Sequence, residues 1–140
     1  MTQAGQLLFG AVLAQVALTT VLYLLLVRAR FGVPKSELRP EMAYDQAAWP
    51  VKARLIANSV TSQFELPVLF FAGAAFALLL GAADLAMATL AWLFVATRVV
   101  HAVIHTGKNV VMPRFATFLA GFVILIAFWV LLAIRALGGA

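Results

Sequence analysis

Four long stretches that are almost free of charge constrain the fold more than any other feature of this sequence. They cover approximately residues 7–27, 55–80, 85–105 and 115–134. Each has the length of about 20 residues that an α-helix needs to cross a bilayer. Only 11% of the residues are charged, whereas soluble domains are about 25% charged. We therefore predict a single domain, residues 1–140, that folds as an all-α membrane protein with a bundle of four transmembrane helices.

The ends of these spans indicate how they are connected. The first ten residues contain no Lys or Arg, so the first span lacks the positive region of a cleaved signal peptide and is expected to be retained. Only residues 81–84 separate the second and third spans, which predicts a tight helical hairpin. The longer connection, 28–54, contains three prolines and mixed charges. We expect it to lie at the headgroup level, with Trp49 as an interfacial anchor.

The basic residues predict an orientation in the membrane. Eight of the ten Lys and Arg side chains lie in loops 28–54 and 105–114, which share one side of a four-span bundle: Arg28, Arg30, Lys35, Arg39, Lys52, Arg54, Lys108 and Arg114. Basic loops remain in the cytoplasm, so both loops are predicted to be cytoplasmic and both termini non-cytoplasmic, in the inner membrane if the source is bacterial. Because the positive charge is accounted for by topology, no nucleic-acid partner is expected.

Polar side chains concentrate in the half of the middle hairpin next to the basic loops. At about 100° per residue, two helix faces collect them: Arg54, Asn58, Thr61, Ser62 and Glu65 on the second span, and Arg98, His101, His105, Lys108 and Asn109 on the third. Antiparallel packing sets Glu65 near the level of Arg98. An unpaired charge at that depth costs at least about 2.5–3.5 kcal/mol, so the two are predicted to face each other or a shared polar ligand.

This cluster has a structural and a functional interpretation. A buried ion pair that fixes the register of the helices, with amides and hydroxyls between them, is the structural alternative. The basic residues His101, His105, Lys108 and Arg114 lead in a line from the membrane interior to the cytoplasm. That line suits an elongated anionic ligand, and the functional interpretation is therefore preferred.

Three stretches resemble motifs of one family of membrane proteins. The sequence RVVHAVIHTGK at 98–108, followed by MPR at 112–114, resembles the third-helix signature of the MAPEG superfamily. Its members, which include microsomal glutathione transferases and prostaglandin E synthase, are membrane-associated proteins of eicosanoid and glutathione metabolism. The sequence NSVTSQFELPVLF at 58–70 is similar to the family's second-helix pattern, and VRAR at 27–30 to the end of its first helix. The resemblance covers nearly the whole chain and indicates a divergent, bacterial-type branch.

The resemblance implies a homotrimer with glutathione bound as co-substrate between neighbouring subunits in the cytoplasmic leaflet. Arg114 matches the family arginine that stabilises the glutathione thiolate, and a nearby cation does favour the ionised thiol. The alternative interpretation of Arg114 is a headgroup anchor at the start of the fourth span. The other expected glutathione contacts are Arg28, Arg54, Asn58, Glu65, Arg98, His101 and His105. The implied activity is that of a glutathione-dependent transferase or peroxidase. Its second substrate would be a lipophilic electrophile or a lipid hydroperoxide that enters from the surrounding lipids.

Several positions depart from the family pattern. His105 stands where many active members have tyrosine. An alignment on the proline of the second span places the family's acidic residue at Gln63 and its asparagine at Val60, and matching Glu65 and Asn58 instead requires a shift of register. The alternative function is therefore a non-catalytic membrane subunit, or a lipid-binding partner of a larger membrane complex, that has the same fold.

A metal site is an alternative interpretation of the two histidines. His101 and His105 are one helical turn apart and could chelate a metal together with Glu65. The neighbouring Arg98 and Lys108 disfavour a cation there, so no metal is expected.

Overall fold

The computed structural model describes residues 1–138 and consists of five α-helices. They are α1 (Gln3–Phe31), α2 (Val51–Ser62), α3 (Leu66–Leu79), α4 (Leu85–Thr106) and α5 (Val111–Leu137). Three single-turn 3-10 segments lie between α1 and α2, at Lys35–Glu37, Pro40–Ala43 and Gln46–Ala48. Because α2 and α3 together form the second span, Val51–Leu79, the chain has four helical segments that are long and apolar enough to cross a membrane. Residues 1–138 contain no β-strand, and the predicted all-α fold with four spans is confirmed.

The second span contains an interruption that the sequence analysis did not predict. The helical conformation stops after Ser62 and resumes at Leu66, and Glu65 has a non-helical backbone with φ −96° and ψ −103°. Pro67 lies in the first turn of α3. It has no N–H to donate to the carbonyl of Gln63, as a continuous helix would require, and its ring clashes with that carbonyl. The proline therefore breaks the span at the level where the polar cluster lies.

Helix α4 is the central element of the bundle, because it packs against α1, α2 and α5. Helix α3 packs against α5 and α1. At the centre of the apolar core, the ring centroids of Phe70 and Phe94 are 4.9 Å apart, and the edge of Phe128 meets Phe70 at 6.1 Å. Gly73 lets α5 approach α3, since a Cβ at this position would lie 3.0 Å from the Phe128 ring. The outer faces of α1 and α5 remain largely apolar and uncovered, as expected for surfaces that contact lipid or another subunit.

The long connection between α1 and α2 is folded onto the end of α1. The indole Nε1 of Trp49 donates to the carbonyl of Met42 at 2.9 Å. The guanidinium carbon of Arg30 lies 4.7 Å from the centroid of the Trp49 ring, which is within the range of a cation–π interaction. Trp49 therefore orders this loop itself, in addition to any contact it makes with headgroups.

The opposite end of the bundle is closed by the α3–α4 turn. Gly81 has a positive φ of 65°, a conformation that glycine adopts without steric cost. Asp84 accepts a hydrogen bond from the N–H of Met87 at 2.9 Å and thereby caps α4. Its other carboxylate oxygen lies 2.7 Å from Nη2 of Arg135, near the end of α5. The predicted hairpin is present, and this single acidic residue joins it to the last helix.

We expect the stability of the fold to depend on pH through Asp84. The hydrogen bond from Met87 and the charge of Arg135 lower the pKa of this carboxyl below its ordinary value. A lowered folded-state pKa means that the charged cap stabilises the fold above about pH 4 and that the stabilisation is lost as the pH falls through the folded-state pKa. Asp84→Ala should reduce the free energy of unfolding by about 1 kcal/mol at neutral pH, measured by thermal unfolding in detergent. Equal acid sensitivity of wild type and Asp84→Ala would contradict this role.

Candidate functional site

An open cleft of about 550 Å³ lies between α2, α4 and α5, at the end of the bundle that carries the basic loops. It is lined by Asn58, Thr61, Ser62, Glu65, His101, His105, Val111, Met112, Arg114, Phe115 and Phe118. The wall from α2 carries oxygen atoms, the wall from α4 and the start of α5 carries imidazole and guanidinium groups, and the rest is apolar. A ligand bound here would meet acceptors, cationic groups and hydrocarbon on different sides.

Helical periodicity explains why the polar residues meet in this cleft. Thr61 and Ser62 follow Asn58 by three and four positions, so the lining residues of α2 lie on one face of that helix. His101 and His105 are one turn apart on α4, and their ring centroids are separated by 5.5 Å with the planes nearly perpendicular. Arg114 lies in the first turn of α5, just after the short α4–α5 loop. The cleft is thus lined by one face of α2, one face of α4 and the first turn of α5.

Five of the eight predicted site residues line the cleft, and three do not. Asn58, Glu65, His101, His105 and Arg114 are brought together there. Three predicted residues are placed elsewhere, namely Arg28, Arg54 and Arg98. Arg54 is half-buried and does not line the cleft. The positions of Arg28 and Arg98 are described below.

His101 joins α4 to α5 through its imidazole. Its Nδ1 lies 3.1 Å from the backbone carbonyl of Arg114. A carbonyl only accepts hydrogen bonds, so Nδ1 carries the proton and Nε2 of the neutral ring carries the lone pair. The hydroxyl of Thr117 donates to the same carbonyl at 2.9 Å. The side chain is only 4% exposed, and its ring forms part of the cleft wall.

Arg114 carries its charge into the cleft without an acidic partner. Its Nη1 donates to the side-chain carbonyl of Asn109 at 2.5 Å. Among residues 1–138, the one ion pair within 4.0 Å is that of Asp84 and Arg135 at the other end of the bundle. A guanidinium without a protein carboxylate favours an anion at the same site. Residues 1–138 contain no group of three His, Asp or Glu side chains positioned to hold a metal ion.

Glu65 and Arg98 do not form the direct pair that the sequence analysis offered as one of two arrangements. The Arg98 side chain is 1% exposed, and its Nη2 donates to Oγ of Ser62 at 2.7 Å and to the Ser62 carbonyl at 2.9 Å. The interruption after Ser62 frees that carbonyl, which would otherwise accept from Leu66 in a continuous helix. Arg98 therefore binds the C-terminal end of α2, where a cation is favourable, and lies behind Ser62 rather than in the cleft wall.

A buried pair of glutamines was missed by the sequence analysis. The side-chain amide of Gln15 donates to Oε1 of Gln63 at 3.0 Å, and Nε2 of Gln63 donates to the Ser59 carbonyl at 3.0 Å. Both glutamines are at most 2% exposed. Gln63 thus faces α1 in the interior, while Glu65 faces the cleft. The sequence signal was a lone glutamine in an otherwise apolar span, a residue type that forms hydrogen bonds between membrane helices.

Arg28 lies in a second groove, which contains about 580 Å³ between the end of α1 and the start of α2. Lys52 and Glu37 are the other charged residues of this groove, and Leu25 and Ile56 are among its apolar residues. The α2 residues of the second groove lie on the face opposite to those of the cleft, given about 100° per residue. Arg28 therefore does not contact a ligand in the cleft of its own chain.

The comparison with known proteins agrees with this arrangement of helices and polar residues. The model of the MAPEG family matches residues 8–134, which is nearly the whole chain. No curated protein and no solved structure matches the sequence. The family match includes all four spans and every residue of the cleft, and it confirms the resemblance drawn from the motifs of the second and third spans. The chain belongs to the MAPEG family.

Proposed function

We propose that the protein is a membrane-bound, glutathione-dependent transferase or peroxidase that acts on lipophilic electrophiles or lipid hydroperoxides. The observation that carries the proposal is the unpaired guanidinium of Arg114 at the border between the polar and apolar walls of the cleft. A cation near a thiol favours the thiolate, which is the nucleophile. Membership in the MAPEG family supports glutathione as the source of that thiol.

The polar walls suit the backbone and the charged ends of a tripeptide. Nε2 of His101 offers a lone pair to an N–H or S–H donor, because its Nδ1 is bound to the Arg114 carbonyl. Asn58 and Ser62 supply further donors and acceptors, and the carboxylate of Glu65 suits the ammonium group of glutathione. These groups come from elements that are packed together, so the ligand would be oriented by a largely preformed site.

The apolar wall suits the second substrate. Met112 and Phe115 line the cleft and are also exposed on the outside of the bundle. A lipophilic molecule could therefore reach the thiolate from the bilayer without crossing the aqueous phase. In a transferase reaction the thiolate would form a C–S bond with the electrophilic carbon, and the leaving group on that carbon would depart as an anion. In a peroxidase reaction the thiolate would attack the O–O bond, which would break to give a lipid alcohol and the sulfenic acid of glutathione. A second glutathione would then react with the sulfenic acid to give the disulfide and water.

We further propose that the site is completed in a homotrimer. In a single chain, Arg28 of α1 and Lys52 of α2 line the second groove, which lies on the side of α2 that faces away from the cleft. In a ring of three copies, the second groove of one subunit can face the cleft of its neighbour and add cationic groups to a ligand with two carboxylates. The large uncovered apolar surfaces of α1 and α5 are compatible with such contacts between subunits and with surrounding lipid.

Glutathione binding by the detergent-solubilised protein tests the proposed function. We expect saturable binding at millimolar glutathione in equilibrium dialysis, and loss of it in the double variant His101→Leu/Arg114→Ala. Arg39→Ala, which removes an exposed arginine from the same end of the bundle, should bind like wild type. Absence of saturable binding by the wild type would refute the proposal. Copurification with a larger membrane complex would then support the non-catalytic alternative.

The proposed orientation, with the basic loops in the cytoplasm, can be tested separately. The chain contains no cysteine, so single cysteines can be introduced without a background of native thiols. A membrane-impermeant maleimide added to intact cells should label Ala83→Cys in the α3–α4 turn. It should label Lys35→Cys in the long connection only after the membrane is permeabilised. The reverse pattern would invert the proposed topology.

A further inference from the structure

We propose that Asn109 is a positioning residue for Arg114, holding its guanidinium at the cleft with a neutral acceptor that leaves the positive charge available to a bound anion. The inference rests on the proposed function of the cleft. Asn109 does not line the cleft, and its role follows from its position in the α4–α5 loop.

The backbone of the loop explains why an asparagine stands at this position. Asn109 has a φ of +50° and is the one non-glycine residue with a positive φ in the described part of the chain. Asparagine tolerates this left-handed conformation better than most residues. The N–H of Asn109 donates to the Ile104 carbonyl at 2.9 Å, and the N–H of Gly107 donates to the Val103 carbonyl at 3.1 Å. These bonds end α4 and turn the Asn109 side chain toward the start of α5.

As a result, both the backbone carbonyl and the guanidinium of Arg114 are held by hydrogen bonds. Its backbone carbonyl accepts from Nδ1 of His101 and from the hydroxyl of Thr117. Its guanidinium is bound through Nη1 to Oδ1 of Asn109 at 2.5 Å. An arginine side chain has several rotatable bonds and loses considerable entropy when it is ordered. Because Asn109 has already restricted the guanidinium, a ligand would not have to order it.

The side chain of Asn109 is neutral and therefore leaves the positive charge of Arg114 uncompensated. A carboxylate of the same shape at position 109 would form a strong, charge-assisted bond with Arg114. The resulting pair would offset the positive charge that the bound thiolate requires. The side-chain carbonyl of asparagine gives the directional contact without adding a negative charge. The alternative is that Asn109 only closes the α4–α5 turn, and in that case the chemistry of its side chain would not affect the ligand.

Two substitutions separate these roles. Asn109→Asp keeps the shape and the hydrogen bond and adds a negative charge, while Asn109→Gly keeps the left-handed backbone and removes the side chain. Arg39→Gln removes a positive charge from an exposed residue at the same end of the bundle. It changes the net charge by the same amount as Asn109→Asp and serves as the control. Each protein is solubilised intact and saturated with glutathione, and the ultraviolet absorbance of the bound thiolate is followed as a function of pH.

We expect Asn109→Asp to raise the pH at which the bound thiol ionises by about one unit or more, as for a charge introduced within a few ångströms. Asn109→Gly should lower kcat by roughly tenfold, the order expected when a group that acts in the transition state loses its fixed position, with a smaller change in KM. Arg39→Gln should match wild type within about twofold. Thermal unfolding of Asn109→Gly should remain close to that of wild type, because the backbone conformation is retained.

Three results would overturn the positioning role. They are ionisation of the bound thiol in Asn109→Asp at the wild-type pH, an equal shift in Arg39→Gln, and wild-type turnover in Asn109→Gly. If the wild type binds no glutathione, the proposed function and this inference fall together. If the wild type binds glutathione as a thiolate and the Asn109 variants behave like it, only this inference falls.

Discussion

Replacing Arg114 by alanine is expected to lower the rate of the glutathione-dependent reaction by about 100-fold or more. Losses of this size are typical when an enzyme loses one fixed hydrogen-bond donor to a negative charge in its active site. The side chain is half-buried at the cleft and has no carboxylate partner, so little in the protein itself offsets its charge. Arg114→Lys should retain part of the effect, because it keeps the charge but not the planar fork. Steady-state kinetics with a lipophilic electrophile and the thiolate absorbance of bound glutathione measure both consequences.

The controls for this prediction address charge and folding. Arg39→Ala also removes one positive charge from the same end of the bundle, and its turnover should stay within about twofold of wild type because exposed charges are screened. Arg114 also holds Asn109, so the thermal unfolding of Arg114→Ala must be compared with that of wild type. A folded Arg114→Ala protein with the wild-type thiolate band would contradict the assigned role.

Arg98→Ala is expected to be the most destabilising single substitution in the polar cluster, at about 3–5 kcal/mol. The substitution removes a large, fully buried side chain and leaves a cavity. It also leaves the Ser62 carbonyl without the donor it has now. Arg98→Met should cost much less than Arg98→Ala, because it fills the space and avoids the burial of a charge without an acidic partner within 4.0 Å. Unfolding in mixed detergent micelles measures the difference.

Ser62→Ala is the matched control for the Arg98 variants. It removes one hydroxyl acceptor and keeps the carbonyl contact, so it should cost about 0.6 kcal/mol, the average for side-chain hydrogen bonds between membrane helices. Equal losses in Arg98→Met and Arg98→Ala would show that the charge, rather than the volume, determines the stability. That result would contradict our expectation that the lost buried volume is the main cost of Arg98→Ala.

The broad architecture followed from the sequence because apolar length and helical periodicity act locally. The spans and the hairpin at 81–84 depend on residues that are neighbours in the chain. The polar faces of the second and third spans meet only in part, since five of the predicted site residues line one cleft and Arg54 and Arg98 do not. The family resemblance added the expectation about glutathione, which neither composition nor periodicity supplies.

The details that were missed depend on backbone breaks and on helix rotation. Antiparallel registration alone placed Glu65 opposite Arg98, whereas Arg98 binds Ser62, three residues earlier. The difference arises because Pro67 ends the helical hydrogen bonding and frees the Ser62 carbonyl. Gln15 and Gln63 could not be paired in advance, because a lone polar residue does not reveal which neighbouring helix it faces.

Arg28 lies apart from the other predicted glutathione contacts. The resemblance placed it at the glutathione site, and in the single chain it lies in the groove on the far side of α2. The two facts are compatible if neighbouring copies combine one subunit's groove with the next subunit's cleft. Chemical crosslinking that yields a ring of three copies would support this arrangement, and a functional monomer would contradict it.

The most direct test of the account is the position of glutathione in an experimental structure of the lipid-embedded protein, determined with glutathione at saturating concentration. We predict ligand density in the cleft, with the sulfur next to the guanidinium of Arg114 and within hydrogen-bonding distance of the hydroxyl of Ser62. An empty cleft under these conditions, or glutathione bound away from α4 and α5, would contradict it.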